Sequence, residues 1–488
     1  MTLSPHRPLN RRSFLATLSA AGAIAGAQGS RPPNIVFVLT DDQGYGDIAR
    51  LGNPVVKTPN LDHLHDQSAR FTDFHVSPTC APTRTALLTG RHEFRSGVTH
   101  TILERERMSL SATTFAQVLK SAGYATGIFG KWHLGDDEPY QPGQRGFDEV
   151  FIHGCGGIGQ DYPGTCSDAP GNTYFNPTIR HNGVFERTQG YCTDVFFAEA
   201  LQWIEARSRS TTPFFSYITT NAPHAPLMCP EEYQRMYKGK GLPEETEKYF
   251  GMVTNIDDNV GKLMSRLVDW GLDRNTVLIF MTDNGGTGGV RVFNAGMRGA
   301  KGTPYQGGTR VPAFFRWGDK FQPGDRRQLT AHIDIFPTLA ELAGARIPEG
   351  LQLDGRSLVP LLKDARAPWE DRIVFTHVGR WNTGEAAAAK YLRCSMRTAR
   401  YSMVSSGGNR GTANKWELYD IQADPGEKTN IAEKHPDVVS RLDAAYDRWW
   451  DEILPKLENE NAVPPAVAPY KALYWKQYGG GPGVLPRQ

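Results

Sequence analysis

Two continuous apolar runs limit what this chain can fold into more than any other feature: Asn34-Ile35-Val36-Phe37-Val38-Leu39-Thr40 and Thr276-Val277-Leu278-Ile279-Phe280-Met281-Thr282. A strand with one wet face alternates apolar and polar residues. An unbroken apolar run marks a strand covered on both faces, the habit of parallel sheets. Ala125-Thr126-Gly127-Ile128-Phe129 and Pro213-Phe214-Phe215-Ser216-Tyr217-Ile218 read the same way. Helical patterns fall near 111–122, 194–207, 244–270 and 332–343. The alternation predicts an α/β fold whose large domain has a mainly parallel central sheet flanked by helices. Ligands of such folds gather at the carboxyl ends of the strands. Asp41-Asp42 and Asp283-Asn284 directly follow the two apolar runs. Such oxygen donors suit a hard divalent cation, Ca²⁺ or Mg²⁺, better than zinc.

Past Asp364 the texture changes. Ile373–His377, Tyr391–Met396 and Tyr401–Ser405 are short strand candidates among turns, and a helical pattern follows near 436–453. They predict a smaller C-terminal α+β subdomain with an antiparallel sheet. The boundary falls near residue 365, which divides the chain into 33–365 and 366–488. The tail from Val463 to Gln488, rich in Pro, Gly and Tyr, is expected to lie as an extended or partly loose arm.

At the other end, Asn10-Arg11-Arg12-Ser13-Phe14-Leu15 precedes a mildly apolar run, Ala16 to Ala25, and an Ala25-Gly26-Ala27 cleavage pattern. Residues 1–27 therefore read as an export signal of the twin-arginine type, with the twin-arginine export machinery as partner. The apolar run is too short to span a bilayer, and no later stretch approaches the length of one. A periplasmic or secreted protein without a stable membrane anchor is expected. Lys+Arg number 54 against Asp+Glu 52, with no basic block, so a nucleic-acid partner has no support. Of six cysteines, Cys155, Cys166 and Cys192 are close enough in sequence for one disulfide among them in an oxidising compartment, with the pair left open.

Chemistry concentrates in Pro78-Thr79-Cys80-Ala81-Pro82-Thr83-Arg84-Thr85-Ala86-Leu87-Leu88-Thr89-Gly90. It reads as a loop feeding a helix, with Pro82 in the first turn and Gly90 at the stop. Cys80 then meets free amides and the positive end of the helix dipole, a setting for anionic chemistry. Gly123-Tyr124-Ala125-Thr126-Gly127-Ile128-Phe129-Gly130-Lys131-Trp132-His133 places Lys131 and His133 two apart, on one face of an extended segment. His224 sits in Asn221-Ala222-Pro223-His224-Ala225-Pro226, and Lys301 lies among glycines that let the backbone approach an anion.

These motifs, in this order, resemble those of the sulfatases: Cys-x-Pro-x-Arg with Thr-Gly, Gly-Tyr-x-Thr with Gly-Lys-Trp-His, Asp-Asp after the first strand, and a late Asp-Asn-Gly. Glu417-Leu418-Tyr419-Asp420-Ile421, Asp424-Pro425 and Asn430-Ile431-Ala432 fit the family's carboxyl-terminal pattern, so the resemblance spans about residues 33 to 432. It implies an alkaline-phosphatase-like fold and a sulfuric ester hydrolase acting on sulfated carbohydrate or aryl sulfate. Cys80 would be oxidised to formylglycine by a formylglycine-generating enzyme, and its hydrate would attack sulfur.

By the same resemblance one Ca²⁺ would be held by Asp41, Asp42, Asp283, Asn284 and the modified Cys80. Arg84, Lys131 and Lys301 would neutralise the sulfate, His224 or Lys301 would protonate the leaving oxygen, and His133 would act as base. The alternative within the superfamily is a phosphate or phosphonate monoester hydrolase. A zinc phosphatase would need a Ser or Thr nucleophile and more His and Asp ligands. For substrate contact, His153 in the loop that starts there, and Arg380 and Trp381 in His377-Val378-Gly379-Arg380-Trp381-Asn382, offer polar and aromatic groups suited to a sugar.

Overall fold

Asn34–Thr40 and Thr276–Thr282 are neighbours in one sheet, paired in parallel from Asn34 opposite Thr276 to Thr40 opposite Thr282. Every residue of both is buried. The computed structural model describes residues 31–162, 165–407 and 416–482, so the expected export signal, 1–27, lies outside them. The sheet has ten strands. From edge to edge they are Gly324–Arg326, Ala69–Phe71, Ala313–Arg316, Thr276–Thr282, Asn34–Thr40, Phe214–Thr219, Ala125–Lys131, Glu149–His153, Thr178–His181 and Val184–Arg187. The middle five, Thr276–Thr282 through Glu149–His153, run parallel. Ala313–Arg316 on one side and Thr178–His181 on the other join them antiparallel, so the sheet is parallel at its centre and mixed at its margins.

Alternation along the first strand builds the two cores. Ile35, Phe37 and Leu39 pack with helices Cys80–Thr89, Phe115–Ser121 and Ile335–Ala343. Val36 and Val38 face the other way, onto Pro59–Asp66, Cys192–Arg207 and Glu244–Asp269. Two opposed apolar layers explain why the run has no polar position. The helical pattern near 111–122 is trimmed to Phe115–Ser121 because Thr114 caps it, its hydroxyl accepting from Gln117 N while Thr114 N donates to the Gln117 side chain.

A second, antiparallel sheet follows chain order: Val374–His377, Cys394–Arg397, Tyr401–Ser405 and Glu417–Asp420. The second strand begins later than the expected Tyr391. Helix Pro436–Ile453 covers this sheet with Leu442, Tyr446, Trp449 and Trp450. Phe94, from the large layer, enters the same aromatic cluster and joins the two sheets.

The tail departs from the expected arm. Pro469–Tyr478 is a helix whose Tyr470 and Tyr474 pack on Phe185, and Tyr470 Oη donates to Ile152 O at 2.9 Å. Burial of two tyrosines outweighs the loop-like composition around them. Among the described residues no helix is long and apolar enough to cross a membrane.

Candidate active site

The carboxyl ends of the parallel strands converge on the first residue of helix Cys80–Thr89, which is Cys80 itself. Asp41 and Asp42 follow one strand, Asp283 and Asn284 another, Lys131 ends a third, and His224 lies shortly after a fourth. Gly130 makes the placing of Lys131 possible. Its φ is 118°, and a Cβ there would stand 1.8 Å from Thr219 O. Thr219 Oγ1 and Arg84 Nη1 both donate to Lys131 O, at 2.8 and 3.1 Å. The Lys301 loop is tied to the Cys80 loop by Gly302 N donating to Pro78 O at 2.8 Å.

Charges alternate through the site. Arg84, fully buried, donates from Nε and Nη2 to one oxygen of Asp283, at 3.0 and 2.8 Å. Lys131 Nζ donates to Asp41 Oδ2 at 2.6 Å, and Lys301 Nζ donates to Asp42 Oδ1. Asn284 Nδ2 also donates to Asp42 Oδ1, at 2.9 Å. Burial lifts Asp41 to about 6 against the pull of Lys131. Burial and the nearby Asp41 lift Asp283 to about 6, with Arg84 opposing. Burial also works against the Asp42 carboxylate, but Lys301 and His224 hold it well below the usual range. For Cys80, burial opposes the thiolate, yet Lys131 and Lys301 pull the thiol below its ordinary value.

Three carboxylates against three cations leave the floor of the site neutral, with nothing to spare for an anionic ligand. Asp41 Oδ1 and Asn284 Oδ1 are buried and take no hydrogen bond. Ligand atoms of Asp41, Cys80 and Asp283 lie within 4.8 Å of one another, as do those of Asp41, Asp42 and His224. Unpartnered oxygens of Asp41 and Asn284 in a cluster dominated by carboxylates fit a hard divalent cation, which would give the floor a net positive charge.

Two histidines take definite tautomers. His133 Nε2 lies 2.8 Å from Thr101 O and so carries the proton, which leaves Nδ1, buried and unpartnered, with its lone pair. Burial first, and Lys131 next, hold His133 well below the ordinary imidazole value. His224 Nδ1 donates to Ala225 O at 2.5 Å, and its Nε2 faces Asp42 Oδ2 at 3.9 Å. Burial lowers its pKa, Asp42 partly offsets this, and Lys301 adds to the lowering.

Above the floor is a cavity of about 300 Å³ lined by Cys80, His133, His224 and Lys301. Its rim includes His100, Thr101, Gln160, Tyr162 and Arg380. Of these, Arg380 and the loop from His153 to Tyr162, which supplies Gln160 and Tyr162, were expected there, and His100 and Thr101 were not. Thr101 and His100 lie in a stretch with no motif, and only the fold brings it over His133. Two expected substrate contacts are corrected. Trp381 is buried under the small sheet, its Nε1 donating to Glu460 and Arg105 standing 4.9 Å over its ring. His153 sits behind the wall, opposite Lys131 in the neighbouring strand, stacked on Phe196 and bonded to Gly154 O at 2.8 Å. Of the cysteines expected to supply a disulfide, Cys155 and Cys166 are thiols with Sγ atoms 2.7 Å apart, while Cys192 is buried in a different core.

Comparison with known proteins shows the family. The sulfatase family model matches residues 33–345, and the model for the C-terminal part of N-sulphoglucosamine sulphohydrolase matches 300–448. Human (Homo sapiens) arylsulfatase A is 33% identical over 482 residues, covering 88% of this chain and 89% of its own. Mouse (Mus musculus) N-acetylgalactosamine-6-sulfatase is 32% identical over 398 residues, covering 75% and 73%. The crystal structure of Ps i-CgsB in complex with k-i-k-neocarrahexaose superimposes with a TM-score of 0.78 at 26% identity, covering 91% of this chain and 97% of that one.

Proposed function

The chain belongs to the sulfatase family and is a sulfuric ester hydrolase; we propose that it works in the Cys80 cavity on sulfated carbohydrates met outside the cytoplasm. One observation carries the assignment of the site. Cys80, His133, His224 and Lys301, from well-separated segments, line one cavity, with Arg84 and Lys131 buried beneath it on Asp283 and Asp41 of the Asp41, Asp42, Asp283 and Asn284 cluster. The bound neocarrahexaose of Ps i-CgsB and the sulfated amino sugar named for the mouse relative support a carbohydrate over a simple aryl sulfate. The Arg11-Arg12 leader supports export to a periplasmic or external compartment.

Cys80, converted to formylglycine by a generating enzyme, would supply an oxygen nucleophile as its hydrate. Asp41, Asp42, Asp283 and Asn284 would hold Ca²⁺ or Mg²⁺, which lends charge for binding a sulfate oxygen. Arg84 braces Asp283 and the Lys131 carbonyl and so sets the spacing of the floor. His133, neutral with a free Nδ1, is the proton acceptor. Lys301, charged and lining the cavity, is the better donor to the departing oxygen. His224 lacks a proton on Nε2 while neutral, so it can accept from the product alcohol but cannot donate to the leaving oxygen.

The test joins mass, metal and turnover. Protein made with a formylglycine-generating partner is expected to show the Cys80 peptide lighter by about 18 Da. It should release sulfate from sulfated sugars, lose that activity on exhaustive chelation, and regain it with Ca²⁺ or Mg²⁺. Full activity with an intact Cys80 thiol, or restoration by zinc alone, would refute the reading. Preference for a phosphonate monoester over every sulfate ester would favour the alternative within the superfamily.

A further inference from the structure

The cations on the cavity floor all have carboxylate partners; among the described residues, Arg380 on its rim has none. Arg380 lines the same cavity as Cys80 and Lys301. Among the described residues no carboxylate lies within 4.0 Å of it or of the nearby Arg393. Arg380 Nη2 donates to Thr101 Oγ1 at 3.1 Å, and its Nε is buried without a partner. Arg380 is also no freely swinging surface residue. Its backbone takes φ 60°, and its N donates to Thr99 O at 3.2 Å. The preceding Gly379 presses so close that a Cβ there would lie 2.0 Å from Thr99 O.

Beside it, His100 Nδ1 accepts from Thr101 N and Ile102 N, at 2.8 and 3.1 Å, so its proton resides on Nε2. Burial, reinforced by Arg380, holds His100 near 3, hence neutral. Among the described residues, Arg380 and the His100 Nε2–H are thus donors with no anion to receive them, lining the same cavity as Cys80 and Lys301.

Resting on the sulfatase reading above, we propose that Arg380 and His100 form a second subsite for another anionic group of the same substrate, so that the enzyme selects at least dianionic sugars. That group is a second sulfate or a carboxylate. Either satisfies a fixed guanidinium, whereas a neutral hydroxyl leaves its charge uncompensated.

The experiment compares kcat/KM for a sugar monosulfate, the matching disulfate, a uronate-bearing monosulfate and nitrophenyl sulfate, in wild type, R380Q and R380K. Ratios between substrates on one preparation cancel any loss of folded enzyme. Wild type should favour a dianionic sugar over the monosulfate, and R380Q should cut that ratio on the order of 10- to 100-fold, chiefly through KM. R380K, which keeps the charge but not the fork, should fall between them. Whichever dianion responds, disulfate or uronate, identifies the source of the anion. A ratio unchanged in R380Q, or no wild-type preference, overturns the subsite while leaving the sulfatase reading intact. No sulfate release from any of the four by wild type overturns both.

Discussion

Lys301 and His224 both reach the cavity, but only one carries a proton toward it at neutral pH. His224 commits its Nδ1 hydrogen to Ala225 O, and burial keeps its ring neutral. Replacing Lys301 with Ala should therefore lower kcat/KM on alkyl sulfates by about 10²–10⁴-fold. The loss on nitrophenyl sulfate should be at least about tenfold smaller, because a good leaving group needs little proton assistance. H224A should show much less contrast between the two substrates. The opposite order, measured on matched alkyl and aryl sulfates, would return the acid role to His224. Much of this clustering was legible in the sequence, since Asp41, Asp42, Cys80, Lys131 and Asp283 sit at strand or helix ends that apolar periodicity marks. Residue type, in contrast, says nothing about depth. Trp381 and His153 look like sugar contacts on paper and are walled off by Arg105 and Phe196. The carbonyl of Thr101, which sets the His133 tautomer, has no side-chain signature to read.

Segments that wrap the strand ends show the same division. The central strands were readable because burial on both faces excludes polar residues from them, and the sheet margins were not, because a three-residue strand such as Ala69–Phe71 carries too little pattern. The tail helix was hidden for a related reason: Tyr470 and Tyr474 have helical spacing, but a single i, i+4 pair among Pro and Gly is too short a pattern to read, and Phe185, which covers them, is far away in sequence. Beyond strand Glu149–His153, the chain from Cys155 to Cys166 forms one wall of the cavity through Gly156, Gln160 and Tyr162. A dithiol–disulfide exchange with an external disulfide, which takes two electrons and two protons from Cys155 and Cys166, should close this segment. Stabilisation of about 3 kcal/mol is expected for so short a loop. Peptide mapping without reductant should find Cys155 joined to Cys166, with Cys192, Cys229 and Cys394 as thiols. Finding Cys192 in the link would refute the pairing.

The whole molecule depends on how its ten-stranded and four-stranded sheets are joined. Beside the Phe94 cluster, Asp73, between Ala69–Phe71 of the ten-stranded sheet and Phe74–His75 of a separate two-stranded one, meets Arg397 of the four-stranded sheet at 3.0 Å. Burial opposes the Asp73 carboxylate, but Arg397 and His75 hold its pKa well below the usual range. A depressed folded-state pKa contributes stability that is present above the ordinary carboxylate value, about 4, and is lost as pH falls below it. D73N should cost about 3 kcal/mol at pH 7, since it leaves Arg397 buried and unpaired. Urea unfolding should find the gap between wild type and D73N narrowing from pH 7 toward pH 3. A constant gap would mean the pair contributes nothing through charge.

Arg380 follows Val374–His377 of the small sheet, whereas Cys80 and the acidic cluster belong to the large one. The proposed subsite would place reaction and appetite on different pieces of the polypeptide. Exchanging the stretch around Arg380 between relatives is a route to chimeras that keep one reactive centre while acquiring a new diet.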